Sequence, residues 1–543
     1  MSEFIGLLMF PALLVLIATG IPIAFSMLVV ALFFGLMRFG DAAMSLFVTK
    51  TIDVSSNYVL GAIPLFIFMG AILQGSGVAD RLFQAIYMWT RRLPGSLALA
   101  AMLMCTVFGA VTGIAGAVET LVGLLALPPM LKHGYDKSLI SGTICAGGSL
   151  GTAIPPSITV IVLAPIANVS VGDLFAGIML PGLLMAGLFT LYILLVSWLR
   201  PDFAPATPPE GDEPSFIEKI KVTFVALVPT VALIVTVLGT ILAGVATPTE
   251  AAACGAFGAL VLSALNRRLN FSMVVAALYQ TLSITAMIML IVLAGNIFAA
   301  VFYASGGMTE VKTILTDYGI AGCQAIAFIM VLAFLGGFML DLISIVLILI
   351  PIAMPLVVSY GVNELWFCVL FLIILQTSYL SPPMAPSIFY LRAIAPVELR
   401  LADMYRGVVP FIVLQVVTFL LVFTFPEVAL WLPRVFYGNC RATPADKEER
   451  RGGEADDRRR RSLSPDRHAR VPRRRRDAAG RGDAICDAGH SRPNGRRPAG
   501  RPARAPDRAR PGSPRERERP GPSPLGPKMA SHHRFRRRGP GAG

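Results

Sequence analysis

The stretch Gly147-Gly148-Ser149-Leu150-Gly151-Thr152-Ala153-Ile154-Pro155-Pro156 interrupts an otherwise apolar segment, 139–163, and Thr377-Ser378-Tyr379-Leu380-Ser381-Pro382-Pro383 interrupts another, 364–391. About 20 apolar residues cross a bilayer as a helix. Both segments have that length, and both carry helix-breaking residues at their centres. Irregular backbone at membrane depth is costly, because no water satisfies the freed N–H and C=O groups. It survives only where protein or a polar cavity receives them. Pro-Pro suits the start of a second half-helix, where its missing N–H would be unpaired anyway. The two stretches therefore predict hairpins, around 147–156 and 377–386, that enter the membrane and turn back.

Two neighbouring segments, 97–131 and 320–358, are too long for one straight crossing. The first is broken by Gly109-Ala110-Val111-Thr112-Gly113-Ile114-Ala115-Gly116, the second by Gly336-Gly337 shortly before Asp341. The irregularities form ordered pairs. Gly109 and Gly336, Pro128 and Pro355, Gly134 and Gly361, and the two Pro-Pro pairs all lie 227 residues apart. Asp173 with Asp403, and Gly177 with Gly407, lie 230 apart. An ordered series across both halves predicts an internal duplication: a first repeat over 1–199, a polar linker over 200–221 and a second repeat over 222–438.

Composition agrees with a membrane protein. Of 543 residues, 55% are hydrophobic and only 15% charged, against roughly 25% charged in water-soluble domains. Further apolar segments fall at about 4–37, 54–74, 173–199, 222–245, 248–265, 273–302 and 408–432, so the chain reads as an all-α polytopic bundle. Lys and Arg are spread over nearly every loop, and the positive-inside rule gives no clean orientation. The net charge of +14 divides into +17 over 441–543 and −3 over the rest. That tail holds 28 Arg against 2 Lys, with Ala, Gly, Pro and Asp, which share GC-rich codons with Arg. It predicts a disordered extension over 439–543, read here as inert or as a frameshift artefact; the alternative is a basic arm for anionic lipid or RNA.

Paired broken helices are the best sequence pointer to a transporter's site. A break frees carbonyls that coordinate a hard cation such as Na⁺, and it creates a half-helix N-terminus that attracts a carboxylate. The candidate Na⁺ ligands are thus Thr112, Gly113, Gly116, Gly148, Ser149, Gly151, Pro155, Gly336, Gly337, Thr377, Ser381 and Pro382. The candidate substrate contacts are Asp341, Ser149, Ser378 and Ser387. The plainer reading of such Gly and Pro residues is packing notches and kinks; the matched pairing favours a site. Asp341 and Glu119 are acidic residues inside apolar segments, where carboxylates usually face a functional cavity. Asp341 has the alternative of capping the half-helix that follows. Glu250, after Pro248-Thr249, reads as an ordinary helix-start acid.

Other chemistries find no support. His133 is the only histidine before the tail, and the seven cysteines form no CxxC or His/Cys ligand spacing. There is no Walker A sequence and no HExxH, which argues against a primary pump and a zinc-dependent intramembrane hydrolase. No cofactor beyond a coupling ion is expected.

The chain resembles the large membrane subunit of TRAP (tripartite ATP-independent periplasmic) transporters. The matching text includes Ala62-Ile63-Pro64 to Gly70, Leu127-Pro128-Pro129 to Gly134-Tyr135-Asp136, Gly148 to Gly151 with Ile154-Pro155-Pro156-Ser157-Ile158, Phe338-Met339-Leu340-Asp341, and Leu380-Ser381-Pro382-Pro383. The resemblance runs from about Met1 to Phe436. It implies a Na⁺-coupled importer of small organic anions in the bacterial inner membrane, with two inverted repeats and an elevator-type architecture. It also implies two partners besides the lipid bilayer, a small four-helix membrane subunit and a periplasmic substrate-binding protein, neither of which is expected within this chain, and no nucleic acid. Where many relatives read Gly-Ser-Ser, this chain reads Gly113-Ile114-Ala115-Gly116 and has lost both hydroxyls, so a cation there relies on carbonyls and Thr112. Ser381 stands where many relatives have Thr. The rival class is a standalone Na⁺/anion symporter or two-repeat ion channel working without a binding protein. A structural or adaptor subunit would not need midplane breaks.

Overall fold

The computed structural model describes residues 5–438, apart from 206–214, Tyr318, Ile320, Ala321, Met339, Pro383 and Met384. The expected tail over 439–543 lies outside the described residues. All described elements are helices. Eight of them are long and apolar enough to cross a membrane, or nine if one bent pair counts as a single span.

The apolar segment 4–37 divides into α1 (Ile5–Ala18) and α2 (Ile23–Phe39), followed by the short α3 (Ala42–Ser55). Next come α4 (Ala62–Gly75) and the amphipathic α5 (Val78–Thr90). The core of the first half is α6 (Ser96–Thr112), α7 (Ala115–Lys132), α8 (Lys137–Ala153), α9 (Ile158–Ala167) and α10 (Val171–Leu199). Then α11 (Phe216–Leu242), α12 (Pro248–Leu265), α13 (Phe271–Ala304) and α14 (Gly307–Asp317) connect to the second half. There the order of the first half recurs as α15 (Cys323–Gly336), α16 (Leu342–Ser359), α17 (Glu364–Leu380), α18 (Pro386–Ile394) and α19 (Leu401–Thr424), closed by α20 (Glu427–Tyr437). The linker expected over 200–221 is shorter than the sequence suggests, because α11 begins at Phe216. Ile217, Phe224 and Val228 extend its apolar pattern towards the linker.

Outer faces are apolar. On α2, Ala24, Met27, Val30, Ala31 and Phe34 point inward while Phe25, Val29, Phe33 and Met37 are exposed. A helix hydrophobic all round belongs in a lipid environment. Polar caps mark the ends: Asp136 accepts from Ser138 N and Leu139 N at 2.9 and 3.2 Å. Thr247 and Glu250 form a capping box on α12, as the helix-start reading of Glu250 anticipates.

Residue pairings fix the directions of the central helices. Cys105 lies against Gly147 and Gly109 against Gly151, so α6 runs parallel to α8. Val118 lies against Gly151, Glu119 against Gly148 and Ile144 against Gly123, so α7 runs antiparallel to α8. Hence α6 and α7 form a hairpin that reverses at Gly113-Ile114. This corrects the hairpin expected around 147–156. The segment there bends by only 41° between α8 and α9 and carries on in broadly the same direction. The physical reason is the extent of the break. Gly147 to Gly151 are helical, and only Ile154 to Ser157 leave the helix. Gly113, at φ 64, with the extended Ile114 is what turns the chain back.

The halves exchange partners. Ser141 Oγ donates to the Asp403 carbonyl at 3.3 Å and Gln415 Nε2 to Ser149 Oγ at 3.3 Å, so α8 runs parallel to α19. Gln376 meets α8 at Thr152, while Trp366 Nε1 donates to the Val422 carbonyl at 3.0 Å. Helix α17 therefore runs opposite to α19, and so opposite to α8. Gly142 backs onto Gly407, and Gly177 onto Val369. Val369 is 227 residues from Gly142 and Gly407 is 230 from Gly177.

Candidate transport site

The two breaks of the first half meet. A Cβ on Gly113 would fall 2.7 Å from the Pro156 carbonyl oxygen, and Ile158 N donates to the Gly113 carbonyl at 3.5 Å. Only glycine permits both this positive φ and this approach. Pro155 and Pro156 have no N–H, so the carbonyls of Gly151 and Thr152 lose their intrahelical donors. Ser157 Oγ takes up the Thr152 carbonyl at 2.8 Å. Gly151 is left with a carbonyl at the end of α8, beside the tip of the α6–α7 hairpin. The Pro-Pro pair precedes α9 rather than starting it, a correction of the expected placement; the peptide between the two prolines is cis.

Several predicted hydroxyls direct their hydrogen to their own helix. Thr112 Oγ1 donates to Phe108 O at 3.2 Å, Ser149 Oγ to Ala146 O at 2.8 Å and Thr377 Oγ1 to Ile373 O at 3.2 Å. Ser378 Oγ donates to Leu375 O at 2.8 Å and Ser381 Oγ to Thr377 O at 2.7 Å. A hydroxyl whose hydrogen is used this way presents only lone pairs to its surroundings, the character a cation ligand needs. Gly148 and Gly151 are helical and act as close-approach positions for α7 and α6. Gly116 faces the Tyr390 ring, and Gly337 faces Ser378. That last contact repeats the Gly109–Gly151 contact, one position off in the glycine partner. Gly336 has little around it, with only Ile345 at the edge of contact. Pro382 is exposed.

Asp341 is the N-cap of α16. Its Oδ2 accepts from Ile343 N at 3.2 Å and Ser344 N at 3.4 Å, and Oδ1 accepts from Ser344 Oγ. The capping alternative thus describes its hydrogen bonds. The residue 227 positions earlier, Ile114, makes no side-chain cap. Tyr390 of α18 stands within electrostatic reach of both Asp341 and Glu119.

The centre of the molecule holds residues that the motif reading missed. Gln376 is buried between α17 and α8. With its amide turned to pair both ends, Nε2 donates to the Ser149 carbonyl at 2.8 Å and Oε1 accepts from Ala153 N at 3.3 Å. Gln415 joins from α19. The signal was present: both are amides in apolar segments, and Gln376 lies 227 residues after Ser149. Ser387 Oγ, from the start of α18, donates to the Cys145 carbonyl at 3.2 Å. Ser149, Gln376, Gln415 and Thr152 thus form one polar crossing between the halves, and Glu119, Tyr379 and Ser387 form a second. Among the described residues no group of three His, Cys, Asp or Glu could hold a metal ion; the oxygens on offer are carbonyls and hydroxyls.

A sequence profile described as "Tripartite ATP-independent periplasmic transporter, DctM component" matches residues 10–428. The chain is 29% identical to the C4-dicarboxylate TRAP transporter large permease protein DctM of Pseudomonas aeruginosa, over 72% of this chain and 90% of the relative. It is 31% identical to the ectoine/5-hydroxyectoine TRAP transporter large permease protein UehC of Ruegeria pomeroyi, over 78% and 97%. Among solved structures it is similar to the Alcanivorax borkumensis YdaH transporter, with a TM-score of 0.47 and 16% identity over 73% of this chain and 88% of that one. By the extent of the profile match, and by a relative covered almost from end to end, this chain belongs to the tripartite ATP-independent periplasmic transporter family as a DctM component, the large permease subunit.

Proposed function

We propose that this subunit imports small carboxylate-bearing solutes by Na⁺-coupled secondary transport. They would be handed over by a periplasmic binding protein, and the subunit would work beside a small membrane subunit in the inner membrane. The observation that carries the reading is the meeting of the two first-half breaks, where the Gly113 and Pro156 backbones touch, beside a Gly151 carbonyl to which Pro155 has no N–H to offer. Freed carbonyls and acceptor-only hydroxyls suit a hard monovalent cation. Half-helix N-termini such as that of α18 suit a carboxylate. One relative is named for C4-dicarboxylates and another for ectoine and 5-hydroxyectoine; both kinds of solute contain a carboxylate.

The same reading takes the two halves as inverted repeats of an elevator. Its supports are the recurring helix order, the opposite directions of α8 and α17, and the exchanged Gly142–Gly407 and Gly177–Val369 contacts. Uptake of labelled C4-dicarboxylate and ectoine into proteoliposomes, with all three components, tests the function. The expected result is uptake that needs both the binding protein and an inward Na⁺ gradient. Full uptake on a proton gradient without Na⁺, or uptake indifferent to the binding protein, would overturn it.

A further inference from the structure

Where α4 and α12 end, the chain gathers three arginines beside a cleft. The two helices run parallel. Thr249 Oγ1 donates to the Tyr58 carbonyl at 3.0 Å near their starts, and Met69 packs on Gly255 midway. Both are apolar enough to cross a membrane, so their ends, Gly75 and Leu265, lie at one edge of the apolar slab. Arg268 passes Gly77 at that level, its Nε 3.7 Å from where a Cβ would stand. Arg81, in the first turn of α5, directs Nη1 to Asn266 Oδ1 at 2.6 Å. Arg267 sits just past the end of α12 in the left-handed region, at φ 54, where glycine is the usual occupant. An arginine there accepts backbone strain that glycine would avoid, and it brings a further cation to the corner.

All three arginines are exposed, and among the described residues none of them makes an ion pair. The acid beside them in sequence is Asp80, one negative charge against three positive. Here α5, α11 and α12 frame an open cleft of about 340 Å³. Arg81 and Asn266 form its polar end, and Phe224, Val225, Val228 and Leu265 form its apolar wall. Those four side chains are exposed, so the wall faces lipid. A ligand matched to this corner is anionic at one end and apolar along the rest. Free phosphate would leave the wall uncovered, and an apolar tail alone would leave the arginines unpaired. A zwitterionic headgroup would bring its own ammonium to a positive corner. An anionic phospholipid meets both demands, because guanidinium groups grip phosphate at two points and basic pockets between membrane helices bind anionic headgroups.

We propose that Arg81, Arg267 and Arg268 hold the headgroup of an anionic glycerophospholipid whose acyl chains lie in the cleft between α5, α11 and α12. One lipid then ties α5 to the end of α12. Helix α5 is the link between α4 and α6, so the lipid fastens the chain where it passes from the α4–α12 pair to the central helices. The inference rests on the membrane-embedded fold and not on the transported solute or the coupling ion.

The test uses the full chain in a neutral detergent, titrated with dioctanoylphosphatidylglycerol, dioctanoylphosphatidylcholine and inorganic phosphate. Binding is read by native mass spectrometry and by thermal unfolding. The expected result is one tightly retained phosphatidylglycerol that raises the melting temperature as it saturates, with no comparable effect of the other two. Arg81→Gln, Arg267→Gln and Arg268→Gln should each weaken that binding about five-fold, as loss of one surface cation does. Arg38→Gln, at an exposed arginine in the last turn of α2, should not. Arg267→Gly guards against a folding defect. It relieves the left-handed backbone, so the lipid-free protein should melt no lower than wild type while binding the lipid more weakly. Equal phosphatidylglycerol binding by wild type and the triple Gln variant would overturn the proposal. Equal stabilisation by phosphatidylcholine would refute it as well, leaving an unselective lipid surface, and equal stabilisation by inorganic phosphate would refute it in favour of a free-anion site.

Discussion

Gly142 on α8 and Gly407 on α19 hold the first half against the second, and replacing Gly142 by alanine tests that contact directly. The new Cβ would stand 2.2 Å from the Gly407 carbonyl oxygen and 2.8 Å from its carbon. These are main-chain atoms of a helix, so no side chain can swing aside and the two helices must part. Overpacking of this kind costs about 1–3 kcal/mol, and a main-chain obstacle belongs in the upper half of that range. Alanine also favours the helix over glycine by about 1 kcal/mol, which partly offsets the strain. Gly187, in the middle of α10 with nothing within contact distance of its position, supplies the control. Gly187→Ala receives the helix term without the strain, so the difference between the two variants isolates the steric cost. The assay is equilibrium unfolding in mixed micelles with rising dodecyl sulfate, read by circular dichroism. Gly187→Ala should match or exceed wild type, and Gly142→Ala should fall below Gly187→Ala by about 2–3 kcal/mol. A Gly142→Ala protein as stable as the Gly187→Ala protein would refute the packing of α8 on α19.

Asp341 separates capping from charge, because asparagine caps a helix about as well as aspartate. Asp341→Asn should keep wild-type stability and lose most uptake, while Asp341→Ala should in addition lose about 0.5–2 kcal/mol in the same unfolding assay; normal uptake by the Asn variant would leave Asp341 a cap alone. Gln376→Leu and Thr152→Val, alone and together, should give a coupling energy of about 0.6 kcal/mol, the average for polar pairs between membrane helices. Additive losses would mean that the amide does not join α17 to α8.

The sequence located the breaks well but not their directions. Hydropathy and glycine content mark where 97–131 and 139–163 cease to be simple helices. Both segments are long enough for a bent crossing or a hairpin, and length says nothing about angle. The difference lies in Gly113, whose positive φ and extended neighbour reverse the chain, against an Ile154–Ser157 break that only tilts it by 41°. Gly147, Gly148 and Gly151 were legible as special positions for the wrong reason. They stay helical, and their lack of side chains admits Cys105, Glu119 and Val118. Gln376 and Gln415 were overlooked because a motif search follows Gly and Pro. Glu119 was visible as an acid in an apolar run, but its partners Tyr379 and Ser387 come from the other half, some 260 residues away. The 227-residue offset links Glu119 to Val346 and to neither of these partners, so it could not reveal them.

The exchange of partners between the halves bears on how the chain is made. Ser141 on α8 bonds to Asp403 on α19, 262 residues later. At a synthesis rate of roughly 5–20 residues per second, α8 leaves the ribosome about 13–50 seconds before the helix that covers its Gly142 face. For that interval the small-residue surface of α8 and the hydroxyls of Ser141 and Ser149 sit in lipid without their final neighbours. Neither half can reach its native packing while the other is missing. A chain arrested before α19 would therefore present an unfinished, polar-studded surface inside the bilayer, which quality-control proteases that sample membrane helices would be able to recognise.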